Sequence, residues 1–330
     1  MRSVLIHATG GPEVLEYVDV PEPVAGDGEM VVRAHAMGVG WPDILIRKGV
    51  YPWMPPLPAS PGSEMTGHIE SIGPGVSGLS EGQAVLVHAR ELLVRGGCYA
   101  GKIAVPVDTL HLLPANSDLD AAAGLGNFQV AWSLLNESTR GFEPKSVLIT
   151  GAAGGVGGAV AQLARNKGMV VLGTVSSDEK AAFARDQGAD HLINYKTENI
   201  VARVKELTGG RGLNLILDHV AGPRFQDNID MLAPWGTVVS FGDLEGPPTS
   251  NIYAAIRANA GKCLGVRWFS IHVYDDDRDG RRRIVGELIK LFASSAIRPR
   301  IAARLPLAEA AEAQRLVESG DALGRVILKP

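Results

Sequence analysis

Residues 151–158 read GAAGGVGG, directly after an apolar run, KSVLIT (145–150), of strand length. Ala152, Gly154 and Gly157 fill the three slots of a G-x-G-x-x-G pattern, with alanine in the first. Small residues at that spacing let a backbone approach a pyrophosphate, and the free N–H groups and dipole of a following helix favour its charge. A carboxylate closing the next strand would select NAD through the ribose hydroxyls. Ser176 and Ser177 stand there instead, and Lys180 follows after Asp178 and Glu179. Hydroxyls and an ammonium suit a 2′-phosphate that a carboxylate would repel, so the pattern favours NADPH over NADH.

The elements that must position these residues are legible on both sides. Val156, Val160, Leu163 and Ala164 share one helix face, and MVVLGTV (169–175) is a second apolar strand, which closes a βαβ unit. The alternation continues with helices predicted over 177–187, 198–208 and 223–232, and strands over 191–194, 213–218, 236–242 and 262–268. Strands alternating with helices imply a doubly wound parallel sheet, so the fold class is α/β. Before residue 144 the texture differs: EMVVRAHAMGV (29–39), MTGHIESIG (65–73) and QAVLVHA (83–89) are short β-rich runs among glycines and prolines. Five prolines in YPWMPPLPASPGS (51–63) exclude a central strand or helix interior and predict a stiff connecting loop. Residues from about 280 read as helix, and the tail GRVILKP as a strand returning to the first domain.

At 330 residues, with 45% hydrophobic and 21% charged side chains, the chain is long enough for two domains with substantial cores. A formal charge of -4 excludes the basic excess that nucleic acid or anionic lipid would need, leaving small molecules as partners. Two cysteines, Cys98 and Cys263, are too few for a disulfide framework or a four-thiolate zinc site and fit a reducing compartment. No apolar stretch approaches a membrane span or a signal peptide's core, which points to a cytoplasmic location.

Taken together, GGPEVLEYVDVPEP, GVGWPDILIRKGVYP, PGSEMTGHIESIGPGV, ITGAAGGVG, GTVSSDEKAAFARDQGADHLINY, LDHVAG, VVSFG and GRVILKP cover nearly the whole chain. This set resembles the zinc-independent quinone oxidoreductase branch, zeta-crystallin-like, of the medium-chain dehydrogenase/reductase superfamily. The resemblance implies a GroES-like, β-rich catalytic domain over 1–122 and 270–330, and a Rossmann NADPH-binding domain over 123–269 inserted between them, with ligands in the cleft. It assigns Ser176, Ser177, Lys180 and Tyr195 to the adenosine 2′-phosphate, and Gly154, Gly155 and Val156 to the pyrophosphate. Val220, Phe241 and Gly242 fall to the nicotinamide half, and Asn127 and Val130 near its reactive ring. The substrate pocket it implies holds Gly40, Trp41, Leu45, Tyr51 and Ser63, with Gly40 and Leu45 departing from the commoner asparagine and tyrosine. A homodimer is implied as well, through the edge strand KCLGVRW.

In zinc-dependent relatives a cysteine, a histidine and a further cysteine hold the catalytic metal. Their positions are matched here by Gly40, Ser63 and approximately Asn127, which form no zinc ligand set, so no metal is expected. Hydride transfer from a simple alcohol leaves an alkoxide-like charge that a Lewis-acid metal stabilises. A quinone or an α,β-unsaturated carbonyl spreads the charge through conjugation, and hydrogen bonds with solvent protons suffice. The expected function is therefore NADPH-dependent, zinc-independent reduction of quinones or activated C=C bonds. An enoyl-thioester or acrylyl-type reductase is the alternative within enzymes, and a low-turnover NADPH-binding sensor or scaffold the alternative outside them. Tyr51 is the candidate donor to a carbonyl or an aromatic wall. Asp43 orients the site or caps a helix before ILIRKG, and His219 meets ligand or caps a loop.

Overall fold

The chain enters through a short antiparallel pair, β1 (Arg2–Leu5) and β2 (Glu16–Asp19). It then runs into the long strand β3 (Glu29–Val39), where Met30, Val32, Met37 and Val39 are buried. Helix α1 (Trp41–Lys48) follows, started by Pro42 in its first turn and stopped by Gly49 in the left-handed conformation at φ 72°. Strands β4 (Glu64–Ile72), β5 (Ala84–His88), β6 (Lys102–Pro106) and β7 (Leu110–Leu112) complete the N-terminal portion, with the proline-rich 51–63 free of helix and strand. Helices α2 (Leu119–Ala122) and α3 (Leu125–Asn136) lead onward.

The structure describes residues 1–330, as a computed structural model, and they divide into two compact units: 1–126 with 274–330, and 127–273. In the second unit β8 (Ser146–Ile149), α4 (Gly155–Asn166), β9 (Val170–Val175), α5 (Asp178–Asp186) and β10 (His191–Asn194) alternate. They are followed by α6 (Ile200–Leu207), β11 (Leu213–Asp218), α7 (Phe225–Asp230), β12 (Leu232–Ser240), α8 (Ile252–Ala258) and β13 (Gly265–Trp268). All six strands are parallel in the order β10-β9-β8-β11-β12-β13, which is the doubly wound order with its reversal between β8 and β11. Leu148, Leu172, Ile216, Val238 and Phe225 form its core.

Two sequence expectations shift here. The strand expected over 236–242 begins at Leu232, because residues 233–236 bulge out between the Leu213–Leu232 and Leu215–Thr237 pairings. Pro234 cannot donate to the ladder and Trp235 takes φ 65°, so the bulge absorbs both. The preceding helix is correspondingly shorter than 223–232, and the helix α8 has no counterpart among the sequence expectations.

The chain then returns to the first unit through α9 (Arg278–Ala293), β14 (Ile301–Pro306), α10 (Ala310–Glu318) and β15 (Arg325–Lys329). The tail pairs antiparallel with β3, at Val326–Val39 and Leu328–Met37, in a sheet ordered β14-β15-β3-β4-β5-β7 with β6 also on β3. Met30, Met65, Val85, Tyr99, Val326 and Leu328 share one core, each such apolar burial contributing about 1.5–3 kcal/mol. This sheet holds the buried polar cluster described below.

Candidate cofactor and substrate sites

In the nucleotide-type unit, the candidate residues follow the carboxyl ends of successive strands: Gly154–Val156 after β8, Ser176 and Ser177 after β9, Tyr195 after β10, Val220 after β11, Phe241 and Gly242 after β12. Helix α4 starts at Gly154, which is exposed and offers no side-chain cap, so its first N–H groups point out of the turn unmet. Gly157 is required for contact: a Cβ there would fall 2.4 Å from the Gly151 carbonyl oxygen and 2.8 Å from Ala152 Cα. Gly155 meets Asn127, whose Nδ2 lies 2.2 Å from where a Cβ would stand, so Asn127 is brought to the glycine turn. Val130 lies on the same helix as Asn127 and is half-buried.

A second group gathers at the ends of β9 and β10. Tyr195 donates its N–H to the Val175 carbonyl at 3.0 Å, which sets it beside Ser176, and its side chain is exposed. Ser177 is the N-cap of α5, its Oγ accepting the Lys180 N–H at 3.3 Å. Its hydroxyl thus has a structural duty that the sequence reading had not assigned, while its proton remains available for donation. These residues present hydroxyl, phenol and ammonium groups with no carboxylate on the strand end, a set that fits a phosphate.

The third group is organised by Asp218, a buried acid at the end of β11 that sequence reasoning had passed over although it stands inside LDHVAG. Its carboxylate accepts the N–H groups of Val220 and Ala221 at 3.0 and 3.1 Å, the Asn228 amide at 3.0 Å and the Thr150 hydroxyl at 3.2 Å. This fixes Ala221 at φ 55°, a strained position for a residue with a Cβ. His219 lies 3.0 Å from Thr150 Oγ1 through Nδ1 and 5.6 Å from the Phe241 ring, and burial pushes its imidazole down toward the neutral form. Gly242 packs on His219, with a Cβ position 3.0 Å from its carbonyl oxygen. The bare helix start, the anion-suited strand ends and this loop together fit a dinucleotide phosphate.

In the other unit, Gly40 and Ser63 meet around one carboxylate. Asp43, expected either to orient the site or to cap the helix, is the third residue of α1, fully buried, and reaches back to accept the Gly40 N–H at 2.8 Å. Tyr99 donates to the same oxygen at 3.2 Å. Burial pushes Asp43 up, while the Gly40 N–H, the Arg325 charge and the Ser63 and Tyr99 hydroxyls draw it back down. Buried Arg325, from the tail strand, pairs with Glu64, and Glu64 also accepts the Gly126 N–H at 3.0 Å. Burial pulls the Arg325 guanidinium down to about 10, against the charge of Asp43. A Cβ on Gly40 would stand 3.3 Å from Arg325 Nη1, and one on Gly38 would overlap Arg325 and Glu64 at 2.5 Å, so both glycines make room for this pair. No group of three or more His, Cys, Asp or Glu side chains has an arrangement that holds a metal ion.

Leu45 and Tyr51 come together in one small apolar cluster with Ile6, Ile46 and Ala59. Trp41 stands apart, exposed, with Lys48 5.8 Å over its ring. Beside Tyr51 lie Trp53, at 5.8 Å between ring centroids, and the guanidinium of Arg95, which hydrogen-bonds the Tyr51 hydroxyl and lies 4.7 Å over the Trp53 ring. Arg95 was not among the expected site residues; a cation forty-four residues from Tyr51 in sequence leaves no local signal.

Comparisons with known proteins cover both parts of the chain. A family model described as an alcohol dehydrogenase GroES-like domain matches residues 26–115, and one described as a zinc-binding dehydrogenase matches residues 155–278. A quinone oxidoreductase of Pseudomonas aeruginosa is 35% identical over 332 residues, covering 100% of this chain and 99% of the relative. The structure of an Escherichia coli quinone oxidoreductase complexed with NADPH superposes with a TM-score of 0.87 at 30% identity, covering 100% of each chain. That of a 2-haloacrylate reductase superposes at 0.82 with 28% identity, covering 100% of this chain and 99% of the other. With a full-length relationship of this kind, carried by both the glycine turn and the GroES-like sheet, the chain belongs to the quinone oxidoreductase branch of the medium-chain dehydrogenase/reductase superfamily.

Proposed function

We propose that this chain is an NADPH-dependent, zinc-independent oxidoreductase that reduces quinones or the activated C=C bond of α,β-unsaturated carbonyl compounds. The observation that carries the reading is the make-up of the Gly40 and Ser63 region, where a carboxylate and guanidinium cluster stands in place of metal-ligating side chains. Such a site gives a simple alkoxide no Lewis acid, so acceptors that delocalise their own charge are favoured. The NADPH complex of the Escherichia coli relative supports the cofactor.

The cofactor supplies a hydride when bound. Gly154, Gly155 and Val156 hold its pyrophosphate on the α4 N-terminus, and Ser176, Ser177, Lys180 and Tyr195 its 2′-phosphate. Asn127, Val130, Val220, Phe241 and Gly242 bound its nicotinamide half. Tyr51 is the donor to the acceptor oxygen, and Arg95 is hydrogen-bonded to its hydroxyl. Gly40, Trp41, Leu45 and Ser63 shape the acceptor site.

The 2-haloacrylate reductase neighbour supports a second reading within the same chemistry, reduction of acrylyl-type acceptors. We place the enzyme in the cytoplasm, in keeping with its two free cysteines, and no helix is long and apolar enough to cross a membrane. A homodimer forms through β13, an edge strand whose Trp268 is 62% exposed. Stopped-flow oxidation of NADPH with ortho-quinones, alkenals and enoyl thioesters tests the function. Rapid oxidation by at least one class is expected, and inertness toward all three refutes it.

A further inference from the structure

Thr150 directly after β8, and Asp218 with His219 at the end of β11, meet where the strand order reverses, the place at which open parallel sheets receive ligands. One hydroxyl links the three residues. Thr150 Oγ1 accepts the His219 backbone N–H at 3.1 Å and lies 3.0 Å from His219 Nδ1, 3.2 Å from Asp218 Oδ1 and 3.4 Å from the Leu217 carbonyl oxygen. A hydroxyl has a single proton and two lone pairs. Asp218, charged and nearer than the carbonyl, takes the proton, and the backbone N–H occupies one lone pair. The second lone pair is filled by a hydrogen on Nδ1, so the imidazole is held as the Nδ1–H tautomer, with its own lone pair on Nε2. Asp218 is itself fixed, by the N–H groups of Val220 and Ala221 and the Asn228 amide.

The ring is confined on other sides as well. Phe241 lies 5.6 Å away between ring centroids, and a Cβ on Gly151 would stand 2.7 Å from Cε1 and 3.2 Å from Nε2. Gly151 has φ 63°, so both its backbone and this ring exclude a side chain there. Nε2 therefore sits at the first glycine of the GAAGGVGG turn; it makes no hydrogen bond within the chain, and His219 is only partly buried. Burial pulls the imidazole toward its neutral form, against the charge of Asp218, which keeps the lone pair available.

A lone pair calls for a hydrogen-bond donor. The pyrophosphate assigned to Gly154, Gly155 and Val156 has no hydrogen to give. The nicotinamide half is assigned to Val220, Phe241 and Gly242, and His219 touches Phe241 of that set as well as Gly151, three residues before the first. In a dinucleotide the group that joins pyrophosphate to nicotinamide is a ribose, and its hydroxyls are donors. We propose that His219 binds the cofactor, its Nε2 accepting a hydroxyl of the nicotinamide-bearing ribose, with Thr150 and Asp218 as positioning residues that hold the ring in the tautomer able to do so. This deepens the cofactor assignment above and rests on it.

Three ligands that grow by one piece at a time test it, titrated calorimetrically into the full chain at a pH where the imidazole is neutral. They are 2′-phospho-ADP, which ends at the pyrophosphate, 2′-phospho-ADP-ribose, which adds the ribose, and NADPH, which adds the ring. His219→Leu is expected to weaken the last two alike, by about 3- to 10-fold, the loss of one neutral hydrogen bond, and to leave 2′-phospho-ADP unchanged. Thr150→Val is expected to weaken the same two ligands, and Thr150→Ser to restore them. Proton–nitrogen NMR of the wild-type imidazole is expected to show the proton on Nδ1 in the free chain, and the Nε2 resonance to move with 2′-phospho-ADP-ribose but not with 2′-phospho-ADP. Equal weakening of all three ligands puts the contact on the pyrophosphate, and weakening of NADPH alone puts it on the nicotinamide; either result, or a proton on Nε2 in the free chain, overturns the proposal. If none of the three binds, the cofactor assignment falls and the proposal with it. If 2′-phospho-ADP binds and the added ribose brings no His219-dependent change, only the proposal falls. If His219→Leu does not fold, the wild-type NMR comparison decides alone.

Discussion

Replacing Gly154 by alanine separates cofactor binding from folding at the glycine turn. Gly154 is exposed, has an ordinary extended backbone at φ -76° and ψ 170°, and caps α4 without a side chain. A Cβ there meets only the Gly151 carbonyl oxygen, at 3.3 Å, a contact that a few tenths of an ångström relieve. Alanine is a poorer N-cap than glycine, which sets the folding cost at about 1 kcal/mol or less, or roughly 1–2 °C in Tm for a chain of this size. The same methyl group adds bulk at the exposed residue that opens the helix start, where the pyrophosphate is assigned. A pyrophosphate held there loses one charged hydrogen bond, about 1.5–3 kcal/mol, or a roughly 10- to 100-fold rise in the NADPH Kd. Gly157→Ala is the counterpart: its Cβ would overlap backbone at 2.4 and 2.8 Å, so the turn itself must move and both Tm and affinity fall. Thermal unfolding without cofactor and fluorescence titration with NADPH measure the two effects. Gly154→Ala with unchanged NADPH affinity, or with a Tm loss as large as that of Gly157→Ala, refutes the assignment of the pyrophosphate to this turn.

Lys180→Glu is expected to weaken NADPH far more than NADH in the same titration, since only NADPH carries the phosphate that a new carboxylate repels; equal effects sink the 2′-phosphate assignment. Removing one partner of the buried Glu64 and Arg325 pair leaves the other charge uncompensated, so Glu64→Leu and Arg325→Met are each expected to cost about 3–5 kcal/mol in urea unfolding. The Glu64→Leu, Arg325→Met double variant is expected to cost clearly less than their sum, and simple additivity counts against the pairing. Burial pushes Asp120 up, but hydrogen bonds from Lys329 and Arg304 outweigh it and hold the carboxyl at about 2. With the folded value below the unfolded one of about 3.9, this contribution is present above that pH and is lost as pH falls toward 2. The Tm gap between wild type and Asp120→Asn is therefore expected to be constant near neutrality and to close between pH 4 and 2; a gap that persists at pH 2 argues against it.

Local chemistry wrote some features of this protein directly into its sequence. The glycine spacing around Gly154, the apolar runs that became β8, β9 and β11, and the proline-stiffened 51–63 each depend on neighbours a few residues away, and the structure places them as read. The hydroxyl at Ser176 and the non-ligating side chains at Gly40 and Ser63 were legible for the same reason, because a side chain's donor chemistry travels with its identity. Even locally, competition blurred some assignments: Asp43 had the composition of a cap but lies inside α1, since Gly40 supplies the extended start and the acid reaches back to it. The bulge around Pro234 and Trp235 likewise broke the even rhythm from which β12 was read.

Other features depend on partners that sequence separation hides. Glu64 and Arg325 stand 261 positions apart and meet only because β15 pairs with β3 beside β4. Asp218 looked like one more polar residue at a strand end until the reversal between β8 and β11 set Thr150 next to it. Arg95 reaches the Tyr51 hydroxyl, the Trp53 ring and the Asp275 carboxylate, none of which is near it in sequence. The sequence alone determined the glycine turn, the domain texture and the side-chain types at Gly40 and Ser63, because these are properties of residue type and short spacing. Tertiary structure alone decided which buried charges meet, because that depends on long-range contacts and on the loss of solvent.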